Sequence, residues 1–308
     1  MNKFAIVCSG QGSLDSGVFA FSRQAPQVDE VIDAFSNEFH WDMLSIEGGK
    51  LDLTSNQFSQ PLTIATALAN WEAIRDGLPR PSYVAGYSAG EVSALGCSGA
   101  IDLKSVAKLC RLRCEAMQNF APVDSGMLAV RGISKLALLK HLNNSNSYIA
   151  IYNEDDHFVI AGSFKEMEFY EKLLGESGIW VKRLLVSIPS HTPHMLKATA
   201  QLRMEVAALN LGDQKMSIPV VQGINGLITN DLTSGVDSMA RAVSEPVQWQ
   251  QCMQTLVDSG VSVVLELGPG GSLSKMISGI YPAISARSVF DFRTPQGLQS
   301  WVFRELEA

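Results

Sequence analysis

The nine residues Tyr83-Val84-Ala85-Gly86-Tyr87-Ser88-Ala89-Gly90-Glu91 constrain this chain more than any other stretch. A short apolar run enters Gly-x-Ser-x-Gly, and a helix-compatible segment, Glu91 to Gly99, leaves it. A serine between a strand and a helix sits on a sharp turn with its hydroxyl exposed. Gly86 and Gly90 keep side chains out of the close strand–helix contact that such a turn forces. The helix N-terminus adds backbone N–H groups and a positive dipole end beside the oxygen. The five-residue pattern alone also occurs in tight turns whose serine does nothing. The flanking strand and helix are what favour a nucleophile.

The rest of the first 120 residues repeats that alternation. Residues 3–8 predict a buried strand, followed by the glycine-rich turn Ser9-Gly10-Gln11-Gly12-Ser13. Helices are predicted near 26–37 and 60–76, the second with apolar positions at Leu62, Ala65, Leu68, Ala69 and Trp71. After the 83–87 strand comes a helix from Asp102, a candidate N-cap, to Phe120. Strands alternating with helices, with glycines at strand ends, imply an α/β fold with a parallel sheet covered on both faces.

The pattern changes at Ala121-Pro122-Val123-Asp124-Ser125-Gly126. The order then reads strand 127–131, helix 134–143, strand 148–152, strand 157–161, helix 164–176, strand 179–186. This β-α-β-β-α-β order is that of a ferredoxin-like unit. It predicts a small domain, 125–187, inserted into a large α/β-hydrolase-like domain made of 1–124 and 188–308. The large domain resumes at Ile188-Pro189-Ser190-His191 with a helix to about Leu209. Strands at 217–222 and 262–267 follow, with a helix over roughly 246–259 between them. Gly268-Pro269-Gly270-Gly271 opens a further helix.

Composition narrows the setting. Hydrophobic residues make up 46% and charged residues 18%, which describes a globular chain with a sizeable core. No apolar run reaches the roughly 18 residues of a membrane span, and the N-terminus is too short to read as a signal peptide. The five cysteines are scattered without a Cys-x-x-Cys pair. Cys110 and Cys114 share a helix face, but no third ligand completes a metal set. Buried free thiols in a reducing cytoplasm are the simplest reading, and a net charge of −7 argues against nucleic acid as a partner.

A serine nucleophile needs a base, and there are five histidines. His40, His141 and His157 fall in segments that read as surface. His191 and His194 lie where the chain re-enters the large domain, and either could face the elbow. In the α/β-hydrolase order Ser…Asp…His the histidine falls late, yet the last 114 residues here contain none. An ordinary esterase therefore fits poorly. The 102–120 helix carries Arg111 and Arg113 among apolar residues. Each is either snorkelling to water or buried against an anion, where a planar carboxylate gripped by two parallel hydrogen bonds suits it.

Taken together, these motifs resemble the malonyl-CoA:acyl-carrier-protein transacylase family over essentially the whole chain. The likeness rests on Gly10-Gln11-Gly12-Ser13, on Ser59-Gln60-Pro61 as a helix start, and on the elbow Gly86-Tyr87-Ser88-Ala89-Gly90-Glu91. It continues through Arg113-Cys114-Glu115-Ala116-Met117, the hairpin pieces Tyr152-Asn153 and Val159-Ile160-Ala161-Gly162, and Val186-Ser187-Ile188-Pro189-Ser190-His191. Pro246-Val247-Gln248-Trp249 and Glu266-Leu267-Gly268-Pro269-Gly270 complete it. Three positions depart from the family pattern: Tyr87 for the usual histidine, Cys8-Ser9 for Phe-Pro, and Leu14 for glutamine. The run Ala286-Arg287-Ser288-Val289-Phe290-Asp291 resembles the transacylase subunit of malonate decarboxylase.

The resemblance implies a specific chemistry. Ser88 is the nucleophile and His191, rather than His194, the base. Gln11 and Ala89 supply the oxyanion N–H groups, and Arg113, rather than Arg111, clamps the free carboxylate of a malonyl group. Gln60 and Gln248 support the site, a backbone carbonyl near Gln248 holding the second nitrogen of the His191 ring. Malonyl-CoA is the donor, the phosphopantetheine thiol of an acyl carrier protein the acceptor, and no cofactor or metal is bound. A monomer or a complex subunit is expected, with Lys182 and Arg183 as a candidate docking edge for an acidic partner. The rivals are a hydrolase of carrier-protein thioesters and a non-catalytic subunit of a synthase or decarboxylase complex.

Overall fold

The computed structural model describes residues 2–308. In chain order, β1 (Lys3–Cys8), α1 (Val28–Phe39) and α2 (Asn56–Ile74) lead to β2 (Tyr83–Gly86), α3 (Gly90–Cys97) and α4 (Leu103–Phe120). Next come β3 (Ser125–Arg131), α5 (Lys135–Leu142), β4 (Tyr148–Glu154), β5 (His157–Ser163), α6 (Phe164–Glu176) and β6 (Trp180–Arg183). The remainder is α7 (Leu196–Ala207), β7 (Lys215–Val221), β8 (Ile228–Asp231), α8 (Leu232–Arg241), α9 (Trp249–Asp258), β9 (Val261–Glu266), α10 (Ser272–Ile280), β10 (Ser285–Ser288) and α11 (Pro295–Glu307).

Two sheets result. The larger has the order β10-β9-β1-β2-β7-β8 and is parallel except for β8, which pairs antiparallel with β7. Strands β1 and β9 are buried nearly throughout, as strands covered on both faces must be. One face packs under α1–α4, α7, α8 and α11, and the other under α9 and α10. The smaller sheet is antiparallel with order β4-β5-β3-β6, the order a ferredoxin-like β-α-β-β-α-β unit produces. Helices α5 and α6 cover one of its faces, while Met127, Ile151, Val159 and Ala161 on the other join the apolar cluster of the larger sheet. A bridge ties the smaller sheet to the segment leading into α9: Tyr152 N–H donates to Val247 O (2.9 Å) and Val247 N–H to Ala150 O (3.0 Å).

Two sequence expectations shift. The helix predicted from residue 60 begins at Asn56, so Pro61 stands inside α2 rather than at its start. Proline inside a helix removes one ladder bond, but α2 is buried along nearly its whole length, and that packing outweighs the loss. The strand predicted over 179–186 pairs only over Trp180–Arg183. Beyond it Leu184 N–H still donates to Met127 O of β3 (3.0 Å), and Val186 and Ser187 turn off to line a cleft that Leu184 also walls. The hairpin partner β8, the edge strand β10 and helices α8 and α11 lacked a clear sequence signal.

Asp102 caps α4 as predicted, its carboxylate accepting Ser105 N–H at 2.9 Å. Arg287 and Ser288 lie on the β10 edge, where Ser288 Oγ–H donates to Gly270 O and braces the turn after β9. All five cysteines are buried free thiols, and among the described residues no helix is long and apolar enough to cross a membrane.

The junction of β2 and α3 is held by proximity of backbone to backbone. A Cβ on Gly90 would lie 2.1 Å from Cys8 O, and one on Gly86 would lie 2.4 Å from the Glu91 backbone. Neither neighbour is a side chain that could swing away. Gly90→Ala should therefore cost at least about 2 kcal/mol of unfolding free energy, read by denaturant titration. Gly279→Ala, where the added carbon meets nothing within 4 Å, should cost less than about 1 kcal/mol.

Candidate active site

Ser88 sits on that junction with φ +55°, a left-handed conformation few non-glycine residues adopt. The turn lifts its hydroxyl off the end of the sheet, where Ser88 Oγ lies 2.8 Å from His191 Nε2. His191 also has positive φ, +64°. It is pinned by its own N–H donating to Val243 O (2.8 Å) and by Nδ1 hydrogen-bonded to Ala242 O. A carbonyl only accepts, so Nδ1 carries the proton and Nε2 presents its lone pair to the serine. This tautomer is the one a base requires.

The orienting carbonyl is a correction to the sequence reading, which placed it near Gln248. Gln248 O instead accepts Cys252 N–H (3.0 Å) in the first turn of α9, and Gln248 N–H donates to Gly223 O (2.7 Å). Its backbone is committed elsewhere, and the turn after α8 supplies the acceptor.

Arg113 is completely buried on α4. Its Nη1 is hydrogen-bonded to Gln60 Oε1, while Nε and Nη2 have no partner. Gln60 is held in turn by Asn56, whose Oδ1 accepts from Gln60 Nε2 at 2.8 Å and from Gln11 Nε2 at 3.2 Å. Gln11 Nε2 also reaches Ser59 Oγ at 2.6 Å. One polar chain thus ties the Gly10–Gly12 turn, the start of α2 and the buried guanidinium together. Among the described residues, neither the Gln11 nor the Ala89 N–H has a hydrogen-bond partner. The sequence reading takes Ser59 only as part of a helix start and does not include Asn56. Asn56 lies just ahead of the Ser59-Gln60-Pro61 motif, and only the early start of α2 brings it to Gln11.

The structure also separates the paired candidates. Arg111 faces outward in ion pairs with Glu38 (2.6 Å) and Glu115 (2.7 Å). His194 points toward the small sheet, Nε2 2.8 Å from Asn146 O and its ring edge-on to Tyr148. His40 and His141 are exposed, and His157 pairs with Glu154. Arg183 pairs with Glu171 and stacks over Phe164, while Lys182 is exposed. At the departing positions, Tyr87 packs edge-on to Trp249 (ring centroids 5.4 Å apart) and burial pushes its hydroxyl pKa up. Cys8 and Ser9 are buried under the elbow, and Leu14 packs against the main core.

Ser88 and His191 open into a narrow cavity of about 80 Å³ between the sheets, walled also by Gln11, Tyr87, Met127, Ile151 and Leu184. A wider groove of about 480 Å³ adjoins it, sharing Thr54, Asn56, Leu184, Val186 and Ser187 and reaching Phe164 and Arg183. Burial first, and then the charge of Arg113, lower the His191 pKa to about 3, with the Ala242 hydrogen bond opposing. An unfolded histidine binds a proton near 6.5, so between 6.5 and 3 the unfolded chain takes up a proton that the folded chain refuses. Stability therefore falls as pH drops through that window. NMR of the ring nitrogens should find His191 neutral at pH 5, with Nδ1 protonated. A charged ring at pH 5.5 would contradict the burial and field described here.

A family model described as acyl transferase domain matches residues 6–282. The chain is 31% identical to a malonyl CoA-acyl carrier protein transacylase of Haemophilus influenzae over 311 residues, covering 95% of this chain and 97% of that protein. Among solved structures, an acyl-carrier-protein S-malonyltransferase of Burkholderia pseudomallei superposes with TM-score 0.88 at 29% identity, covering 97% of this chain and 99% of that one. A malonyl-transacylase solved in complex with a type II PKS acyl-carrier protein matches with TM-score 0.88 at 27% identity, covering 97% of this chain and 99% of the other.

Proposed function

This chain belongs to the acyl transferase domain family, and from that premise we propose that it moves a malonyl group from malonyl-CoA to the phosphopantetheine thiol of an acyl carrier protein. The observation that carries the reading is the Ser88–His191 contact in the field of a buried arginine with two unpaired nitrogens. The oxygen and the imidazole supply acyl transfer; the arginine selects what is transferred.

His191 Nε2 takes the Ser88 proton as Oγ attacks the thioester carbonyl carbon. The Gln11 and Ala89 N–H groups receive the oxyanion, each such donor being worth about 100- to 1000-fold in rate. The tetrahedral adduct collapses, the C–S bond breaks, and the coenzyme A sulfur leaves with the proton from His191. The carrier thiol then gives its proton to His191 and attacks the malonyl-serine ester, and Ser88 recovers the proton as the new thioester departs. The Ala242 carbonyl keeps the ring in the same tautomer through both halves and faces its positive charge while each tetrahedral adduct lasts.

Arg113 Nε and Nη2 fit the two oxygens of a carboxylate, with Gln60 fixing the third corner of the guanidinium. A neutral acyl group leaves that charge buried and unanswered, which disfavours it. The narrow cavity limits water at the ester. We take residues 125–187 as one unit and 1–124 with 188–308 as the other, the cleft between them admitting the thioester arms. Tyr87 narrows the wall beside the serine and is assigned to acyl-group fit.

Three measurements test this reading. Intact-mass detection after malonyl-CoA treatment should show a malonyl adduct on the native chain and none on Ser88→Ala; an adduct persisting in the variant would remove Ser88 from the role. Arg113→Ala should lower malonyl transfer by at least about 100-fold while narrowing or reversing the preference over acetyl-CoA. Fast release of free malonate without carrier protein would instead favour a hydrolase.

A further inference from the structure

The residue after the elbow glycine, Glu91, is not used by the chemistry above, yet it is buried in the same place. It is 5% exposed on the first turn of α3, and its Oε1 has no hydrogen-bond partner. Its carboxyl group is wedged against Gly223, where a Cβ would lie 2.7 Å from Oε1. The charge of Arg113 reaches it, yet the Arg113 Nε and Nη2 stay unpaired. A buried carboxyl and a buried guanidinium therefore lie within each other's field without forming the ion pair that both could make.

We propose that Glu91 is a positioning residue for Arg113, an internal carboxyl that leaves the guanidinium free for a substrate carboxylate when protonated and competes for it when ionised. This rests on the proposed use of Arg113 as the malonyl clamp. Two carboxylates cannot share one guanidinium at low dielectric without strong repulsion. Capture of a malonyl group therefore favours the state in which Glu91 keeps its proton. Geometry supplies the means: Gly223, without a side chain, leaves room for the carboxyl group, and Arg113 is the cation whose charge acts on it.

The surrounding groups make the switch legible in solution. Burial raises the Glu91 pKa to about 8, with Arg113 pulling it down and the Gly223 N–H helping. Burial raises the Cys252 thiol on α9 well beyond that range, and the charge of Glu91 pushes the same way. Burial also raises the Tyr87 hydroxyl, while burial and then the field of Arg113 hold His191 low. Arg113 itself is lowered by burial and raised by Glu91. Glu91 is thus the group of this cluster that changes charge between pH 7 and 9.

The test is the pH dependence of acylation by malonyl-CoA and acetyl-CoA between pH 6.5 and 9.5. For the native protein, KM for malonyl-CoA should rise above pH 8 with a slope approaching tenfold per pH unit, as loss of one proton requires. The kcat should change little, and acetyl-CoA, which offers no carboxylate, should show no such rise. Glu91→Gln should flatten the malonyl-CoA profile while Ser88 is still acylated. A malonyl profile already flat in the native protein, or equally steep in Glu91→Gln, overturns the proposal. Should the glutamine variant fail to fold, the native malonyl/acetyl comparison still decides, since a parallel alkaline rise for both donors would also overturn it. Absence of any malonyl adduct at every pH would instead defeat the malonyl-transfer reading itself.

Discussion

Everything at this site depends on two pieces of backbone touching without a side chain between them. The Gly90 Cα rests on the carbonyls of Cys8 and Ser9, and Tyr87 N–H donates to Cys8 O at 2.9 Å. This seats the end of β2 on the end of β1 and starts α3 within two residues of Ser88. A longer turn would let the chain relax, and the serine would fall back toward ordinary φ. Because the turn is this short, Ser88 is forced into the left-handed region at a cost of about 1–3 kcal/mol. The interlocked β1, β2 and β9 ladder sustains that cost.

The second constraint is charge. A fully buried guanidinium with one hydrogen bond is unfavourable for folding, since desolvation exceeds what a single amide oxygen returns. The protein distributes the burden over Gln60, Asn56, Gln11 and Ser59, which order one another. The same uncompensated charge helps to hold His191 neutral and ready to accept a proton. Arg113 thus serves a nearby base as well as its own ligand. Neutralising it permanently with a close carboxylate would stabilise the fold and spoil both effects, which gives a physical reason for Glu91 to stand apart from it.

How much of this was legible beforehand varies by kind of signal. The elbow could be read from five residues because glycine at two of them has a single steric purpose. The β-α-β-β-α-β order could be read because periodicities alternate cleanly from 127 to 183. The choice of Arg113 over Arg111 could not come from periodicity, as both lie on an apolar helix two residues apart; only the motif likeness separated them, and Glu38 and Glu115 explain the outward turn of Arg111. The Ala242 carbonyl was invisible, because a main-chain acceptor carries no mark in the sequence. Helix α2 was placed one turn late because Pro61 reads as a start, whereas burial of the whole helix lets a proline stand inside it.

The histidine shows why such main-chain features matter. In a Ser-His-Asp arrangement a carboxylate both orients the ring and stabilises its charged form. Here a neutral carbonyl orients the ring equally well but offers the imidazolium far less, and a buried arginine works against it. A base so weakly supported cannot hold its proton for long and must return it quickly to a leaving group. That suits exchange between two thiols, whose sulfur leaves readily and needs little acid assistance. It suits amide cleavage poorly, where the leaving nitrogen departs only with a proton that the ring must retain, whereas the serine oxygen released in the second half stays hydrogen-bonded to the same ring and takes its proton at once. The positive φ of His191 and its Val243 bond fix the ring at the one place where that brief transfer reaches Ser88.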